Sequence, residues 1–160
     1  MAGVQKMKVS CENNIVTVDG VNDFTLSQIL ECGQCFHFDK LDEEVYEVVA
    51  FGRAVKMEQT DKVLRIYGSS MEDYEGIWKL YLDMDNDYGL IKQRVIKADG
   101  ALKTAVDEKS GIRILNQDFF ETLISFIVSQ NKSIPQIKQC VKNISHRFGD
   151  EVIGYNGEAF

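Results

Sequence analysis

Between Asn14 and Tyr67 short runs rich in β-branched and aromatic residues are cut by turn formers. The runs Ile15-Val-Thr-Val18, Cys35-Phe-His-Phe38, Val45-Tyr-Glu-Val-Val-Ala-Phe51, Ala54-Val-Lys-Met57 and Val63-Leu-Arg-Ile-Tyr67 predict strands, with turns at Asp19-Gly20, Asp39 to Glu44, Gly52 and Thr60-Asp61. Strands joined by such short turns pair antiparallel. A helix is predicted over Thr25 to Glu31, ahead of Gly33. Beyond Tyr67 the period lengthens: Tyr74, Ile77, Trp78, Tyr81 and Leu82 predict a helix over Met71 to Met84, a further one runs from about Tyr88 to Lys97, and from Gly100 onward the chain reads as wholly helical. Strands first and helices afterwards make an α+β layout, with an antiparallel α+β domain over residues 1–110 and a helical one beginning at 111–160.

The most informative stretch is Ser125-Phe-Ile-Val-Ser-Gln-Asn-Lys-Ser-Ile-Pro-Gln-Ile137, a polar tip between two apolar helical runs. Asp118 with Glu121, and Ser133 with Gln136, have the spacing of capping boxes and set both helix starts. Phe119, Phe120, Leu123, Ile124, Phe126, Ile127 and Val128 leave the first helix apolar on almost every side, which predicts a central buried helix. In the second, Ile134, Ile137, Val141, Ile144 and Phe148 recur at helical spacing and Gly149 is the stop. The tip therefore offers free backbone N–H groups and Lys132 to an anion such as a phosphate.

Composition narrows the classes. A chain of 160 residues that is 44% hydrophobic with one proline is globular and buries a real core. No run has the length of a membrane span, and no signal-peptide apolar region opens the sequence, so an intracellular, non-secreted protein is expected. A monomer without cofactor is expected as well. Four cysteines then read as reduced thiols rather than as a disulfide framework. The net charge of −7 argues against tight binding of nucleic acid. Its distribution is uneven: residues 1–111 carry 13 Lys and Arg against 20 Asp and Glu, whereas residues 112–148 carry 5 against 2. Only the segment bearing the tip is basic.

Two motifs carry a resemblance to a known family. The run Gly111-Ile-Arg-Ile-Leu-Asn-Gln-Asp118, followed by Glu121 and Ser125-Phe-Ile-Val-Ser-Gln-Asn131, resembles the opening of the helical domain of 8-oxoguanine DNA glycosylases. Upstream, Phe24-Thr-Leu-Ser-Gln-Ile-Leu-Glu-Cys-Gly-Gln-Cys-Phe-His-Phe38 resembles that family's N-terminal signature, Gly-Gln-x-Phe followed by a basic and an aromatic residue. The resemblance spans roughly Val21 to Gly154. It implies a twisted antiparallel sheet with helices, similar to half of the TATA-binding-protein saddle, followed by the first helices of an all-α glycosylase domain that is cut before its helix-hairpin-helix element. It also implies excision of 8-oxoguanine from double-stranded DNA, in the cytoplasm or nucleoid of a bacterium or archaeon or in a eukaryotic nucleus.

Residue by residue, the resemblance implies a substrate-binding group of Gly33, Gln34 and Phe36 and a DNA-binding group of His37, Asn131, Lys132, Ser133 and Gln136. The Gly33 carbonyl would accept a hydrogen bond from N7–H of the flipped-out lesion, where normal guanine has a lone pair instead. Read from the residue alone, Gly33 is equally a turn glycine. Asn131 would enter the duplex and bond the orphaned cytosine; read alone, it is a C-cap asparagine tolerating a left-handed conformation. The sequence departs from its relatives at Asn131-Lys132-Ser133, where many have three asparagines, and at Gln136, where an arginine often reads the cytosine. Selectivity for the opposite base is weakened accordingly. The family's nucleophilic lysine and supporting aspartate lie downstream of the helix-hairpin-helix element, so this chain alone is expected to be inactive.

Other constellations are weaker. Cys32-Gly-Gln-Cys35 has redox or zinc spacing but no second pair and no spaced histidines. Asp83-x-Asp85-x-Asp87 fails as a calcium loop because Tyr88 and Arg94 occupy the positions of the glycine and glutamate. Alternatives to the glycosylase reading are a non-catalytic nucleic-acid-binding module, a 3-methyladenine-type glycosylase fragment and an acidic interaction domain.

Overall fold

The computed structural model describes residues 7–159. Six strands form one antiparallel sheet in the order β1-β2-β6-β5-β4-β3: β1 Lys8–Glu12, β2 Ile15–Asp19, β3 Phe38–Asp42, β4 Val45–Ala50, β5 Arg53–Thr60 and β6 Val63–Tyr67. Two-residue turns join four of the neighbouring pairs. Asn13 and Asn14 have φ of 51° and 58°, and Phe51 and Gly52 have 51° and 68°, which is the doubly positive backbone of a type I′ hairpin turn. That turn twists in the sense of the strands it joins, so local sequence and sheet twist agree.

One face of the sheet is dry. Val16, Val18, Tyr46, Val48, Met57, Leu64 and Ile66 point to it and are at most 1% exposed. They pack on α1 (Leu26–Leu30), through Leu26, Ile29 and Leu30, and on α2, a helix of three contiguous pieces: Met71–Asp73, a π turn Tyr74–Trp78, and Lys79–Tyr81. The π turn carries Tyr74 and Trp78 into the core, where Trp78 meets Tyr81 edge-to-face at 5.8 Å. The opposite face is polar: Lys56 lies 3.9 Å over the Tyr67 ring, and Tyr67 donates to Glu58 at 2.9 Å.

The helical part comprises α3 Tyr88–Ala98, a 3₁₀ turn Gly100–Leu102, α4 Lys103–Glu108, α5 Phe119–Ser129 and α6 Ile134–Phe148. α5 and α6 form a hairpin around the tip. Between α4 and α5 the chain is not helical, contrary to the expectation of continuous helix from Gly100. Residues 112–117 form no helix, because this stretch is bonded to the sheet domain: Gly111 O accepts from Thr25 N, and Asn116 N donates to Tyr81 O, both at 2.9 Å. The last turn likewise gives way after Gly149 to irregular chain with a single bridge, Ile153 to Ala159.

Three further expectations change. β1 was not predicted, because a five-residue edge strand that buries nothing fully (Val9 and Cys11 are half-buried) carries almost no hydrophobic signal. The strand expected at Cys35–Phe38 begins instead at Phe38 and runs to Asp42, and the turn narrows to Glu43 and Glu44; β3 is an edge strand whose Asp39-Lys-Leu-Asp42 are all exposed, so its composition mimics a loop. Finally, α5 is not buried. Phe119 is 79% exposed and Phe126 65%, and only Ser125 is buried, because the helix touches its neighbours through one narrow face. Ile134 and Phe148, at 52% and 77% exposure, add to the large apolar side chains that the α5–α6 hairpin shows to solvent.

Candidate nucleic-acid interface

The loop after α1 is where the two regions meet. Gly33 sits there at φ +86°, a left-handed conformation that a side chain resists, although a Cβ at this point would meet nothing within 4 Å. Glycine is therefore required by the backbone path and leaves open space beside it. That space is a cavity of about 320 Å³ lined by Gly33, Gln34 and Phe36 on one side, and by residues of α5 and α6 on the other, from Ser125 and Phe126 to Ser129, Ile134 and Ile137. The volume is at the small end of ligand pockets. Two of its three hydroxyls are already occupied: Ser129 Oγ donates to Phe126 O and Thr122 Oγ1 to Asp118 O, both at 2.7 Å. The groups left to polar recognition inside it are the buried Ser125 hydroxyl, which has no partner among the described residues, and the backbone around Gly33.

The tip is the piece of chain between two lining residues, Ser129 and Ile134, and so opens at the same cavity. Asn131 adopts φ 62° there and is exposed, as are Lys132, Ser133 and Gln136. The second capping box forms as the spacing predicts: Ser133 N and Oγ each donate to Gln136 Oε1 at 3.0 Å. Gln136 thereby orders the tip with its carbonyl oxygen. Lys132 is in no ion pair among the described residues. The other cations of this segment are tied down: Lys138 lies 3.6 Å over the Phe38 ring, Lys142 faces Asp39 at 3.6 Å, and Arg147 stacks on Phe148.

The first capping box is only half made. Asp118 accepts from Phe120 N and Glu121 N, but the Glu121 carboxylate turns instead toward His37 Nδ1, 3.8 Å away. Burial, reinforced by Asp118, pushes Glu121 up to about 7, while burial lowers His37 below its ordinary value. Both line a larger cleft of about 870 Å³ between the β3–β4 edge and α6. A carboxyl raised on folding binds more protons folded than unfolded between its ordinary value and about 7, so its contribution to stability falls as pH rises through that window. Glu121→Gln is therefore expected to be neutral at pH 4 and to stabilise the chain by about 1–2 kcal/mol at pH 8. Urea denaturation at the two pH values reads the difference. His37 acts in the opposite sense below its ordinary value, which is why the comparison is made against the variant.

Gln34, expected to contact substrate, is committed to the protein. Its Nε2 donates to Ile29 O and to Arg113 O, each at 2.8 Å, and its Oε1 accepts from Leu115 N at 2.9 Å. Phe36 lines both cavities. Cys32 is exposed and Cys35 buried; burial, with Cys32 beside it, raises the Cys35 thiol to about 12, which removes it as a nucleophile.

Sequence reading missed Arg113. It is 4% exposed and donates to four carbonyls, those of Asp23, Asp83, Asn86 and Asn22, while stacking on Tyr88 with 4.6 Å to the ring centre. A single cation among the alternating apolar residues Ile112, Ile114 and Leu115 was the available signal.

Comparison with known proteins fits this geometry. A model of the 8-oxoguanine DNA glycosylase N-terminal domain matches residues 17–123. MBOgg1, solved in complex with a low-affinity DNA ligand, is 40% identical and superposes with a TM-score of 0.91 over 98% of this chain and 53% of its own. The Clostridium acetobutylicum 8-oxoguanine glycosylase/lyase, solved with double-stranded DNA containing cytosine opposite 8-oxoguanine, is 36% identical with a TM-score of 0.89 over 98% and 53%. Its apo form gives 36% identity and 0.88 over 98% and 54%. The chain thus spans about half the length of these solved relatives. With the family model covering most of its residues, the chain belongs to the 8-oxoguanine DNA glycosylases, of which it carries the N-terminal domain.

Proposed function

We propose that this chain is the lesion-reading part of a DNA glycosylase/lyase that excises 8-oxoguanine from double-stranded DNA, working wherever the cell keeps its DNA. Residues 1–110 supply the scaffold and the Gly33 loop, and residues 111–160 supply the tip. The observation that carries the reading is the shared cavity: Gly33 forms one wall, and the two residues that bracket the Asn131 tip form another. An extruded base seated there would present N7–H to the Gly33 carbonyl, and a carbonyl attracts that proton while repelling the lone pair of normal guanine. Phe36 would face the base. Asn131 would occupy the gap left in the duplex, offering a donor and an acceptor to the unpaired cytosine, while Lys132 and the N–H groups at Ser133 meet backbone phosphate. Gln136 completes the tip as a neutral group, and His37 lies at the edge of the sheet beside it. Cleavage of the glycosidic bond, and any β-elimination, belong to a lysine and an aspartate outside this chain's motifs.

NMR titration of the ¹⁵N-labelled chain with duplexes containing 8-oxoguanine or guanine opposite cytosine, at low ionic strength, tests the reading. The lesion duplex is expected to shift Gln34 and Asn131 at lower concentration than the guanine duplex, with affinity falling as salt rises. Equal titration curves for the two duplexes would remove it.

A further inference from the structure

Gly33 is free to take many conformations, and most of the bonds that hold the peptide after it come from one segment. Gln34 is gripped on both its side chain and its main chain by residues 113–117. Its amide bridges Ile29 O, Arg113 O and Leu115 N, and its own carbonyl accepts from Gln117 Nε2 at 2.6 Å. Gln117 immediately precedes Asp118, the residue that caps α5 and so orients the helix leading to Asn131. The strap itself is anchored at three points. Arg113 binds four carbonyls of the sheet domain, Gly111 N donates to Gln28 Oε1 at 3.0 Å, and Asn116 Nδ2 donates to Leu80 O at 2.8 Å. Gly111 lies so close to Thr25 that an added Cβ would be 2.0 Å from its Oγ1.

We infer that Gln117, acting with Gln34, is a positioning residue for lesion recognition. It fixes the peptide that follows Gly33 and, through Asp118, the helix that carries the tip, so that the two DNA-reading points keep one spacing. This rests on the reading of Gly33 proposed above. Two side-chain amides suit the task because each supplies donor and acceptor at fixed separation, and because neither carries a charge that would compete with phosphate. Gln117 touches no atom assigned to the lesion.

The test compares Gln117→Met, which keeps length and removes the amide, with Gln117→Lys, which restores a donor. The readout is the ratio of affinities of the chain for 8-oxoguanine and guanine duplexes by the same NMR titration. Gln117→Met is expected to lower that ratio about tenfold, the worth of one buried hydrogen bond of about 1.5 kcal/mol to the lesion, and Gln117→Lys to recover most of it. Hydrogen exchange at the Leu115 amide, held by Gln34, reports on whether the strap itself has loosened. A Gln117→Met protein that weakens both duplexes in parallel, with the ratio kept, would assign the residue to the scaffold and overturn the inference. A wild-type chain with no preference to lose would fail the reading of Gly33 first, and the inference with it.

Discussion

Arg113→Met is expected to lower the melting temperature of the chain by about 10 °C, the largest loss from a single substitution outside the hydrophobic core. The guanidinium is buried and stays ionised, since burial lowers its pKa only from a very high starting value. It satisfies carbonyls of Asn22, Asp23, Asp83 and Asn86, four acceptors in two loops that it bridges directly. A hydrogen bond to a charged group contributes about 1.5–3 kcal/mol, and acceptors left dry cost about as much again. Methionine keeps the stem packed on Tyr88 and Phe24 and loses all of these bonds, so the net cost is about 3–4 kcal/mol rather than their sum. Circular dichroism melts read the shift, and a change below about 3 °C would mean that the loops are held by other contacts. Arg113→Lys is expected to recover little, because one ammonium cannot span carbonyls on several sides.

The strands that the pattern showed are those with a dry face: β2, β4 and β6 alternate between buried and partly exposed residues over nearly their whole length, and β5 does so from Val55 to Glu58. Edge strands β1 and β3 have no such face, and period two vanished with it. For α5 the same logic misled. A helix apolar all round reads as buried, yet burial needs a partner on each side, and the residues described here cover only the side of Ser125. At the candidate site, Gly33 and Asn131 are singled out through the resemblance of their two motifs; read from the residues alone, each predicts only a turn or a left-handed cap position, and both do have positive φ. Arg113 and Gln117 are not singled out, because their roles consist of bonds across 27 to 91 residues of sequence, separations no spacing rule spans. The Asp118–Glu121 pair shows the converse: the spacing was right, but the Glu121 carboxylate does not close the box and lies in the cleft 3.8 Å from His37, a residue remote in sequence.

Gly33→Ala carries the second large effect, on recognition rather than on stability. The left-handed backbone at φ +86° costs an alanine about 1 kcal/mol, a penalty the fold survives. Relief of that strain swings the peptide after residue 33, and with it the carbonyl proposed to meet N7–H of the lesion. A lost buried hydrogen bond of about 1.5 kcal/mol corresponds to a roughly tenfold fall in the ratio of 8-oxoguanine to guanine affinity. Gly20→Ala supplies the control, because its φ of +86° and an added Cβ that would meet only Met7 Cα at 3.9 Å give alanine a similar strain at the end of β2, in neither of the two cavities. Both variants are expected to melt a few degrees early, and only Gly33→Ala is expected to lose the preference for the lesion duplex. If the two behave alike in the titration, the carbonyl of Gly33 does not read the base, and recognition must be sought among the side chains of α5 and α6.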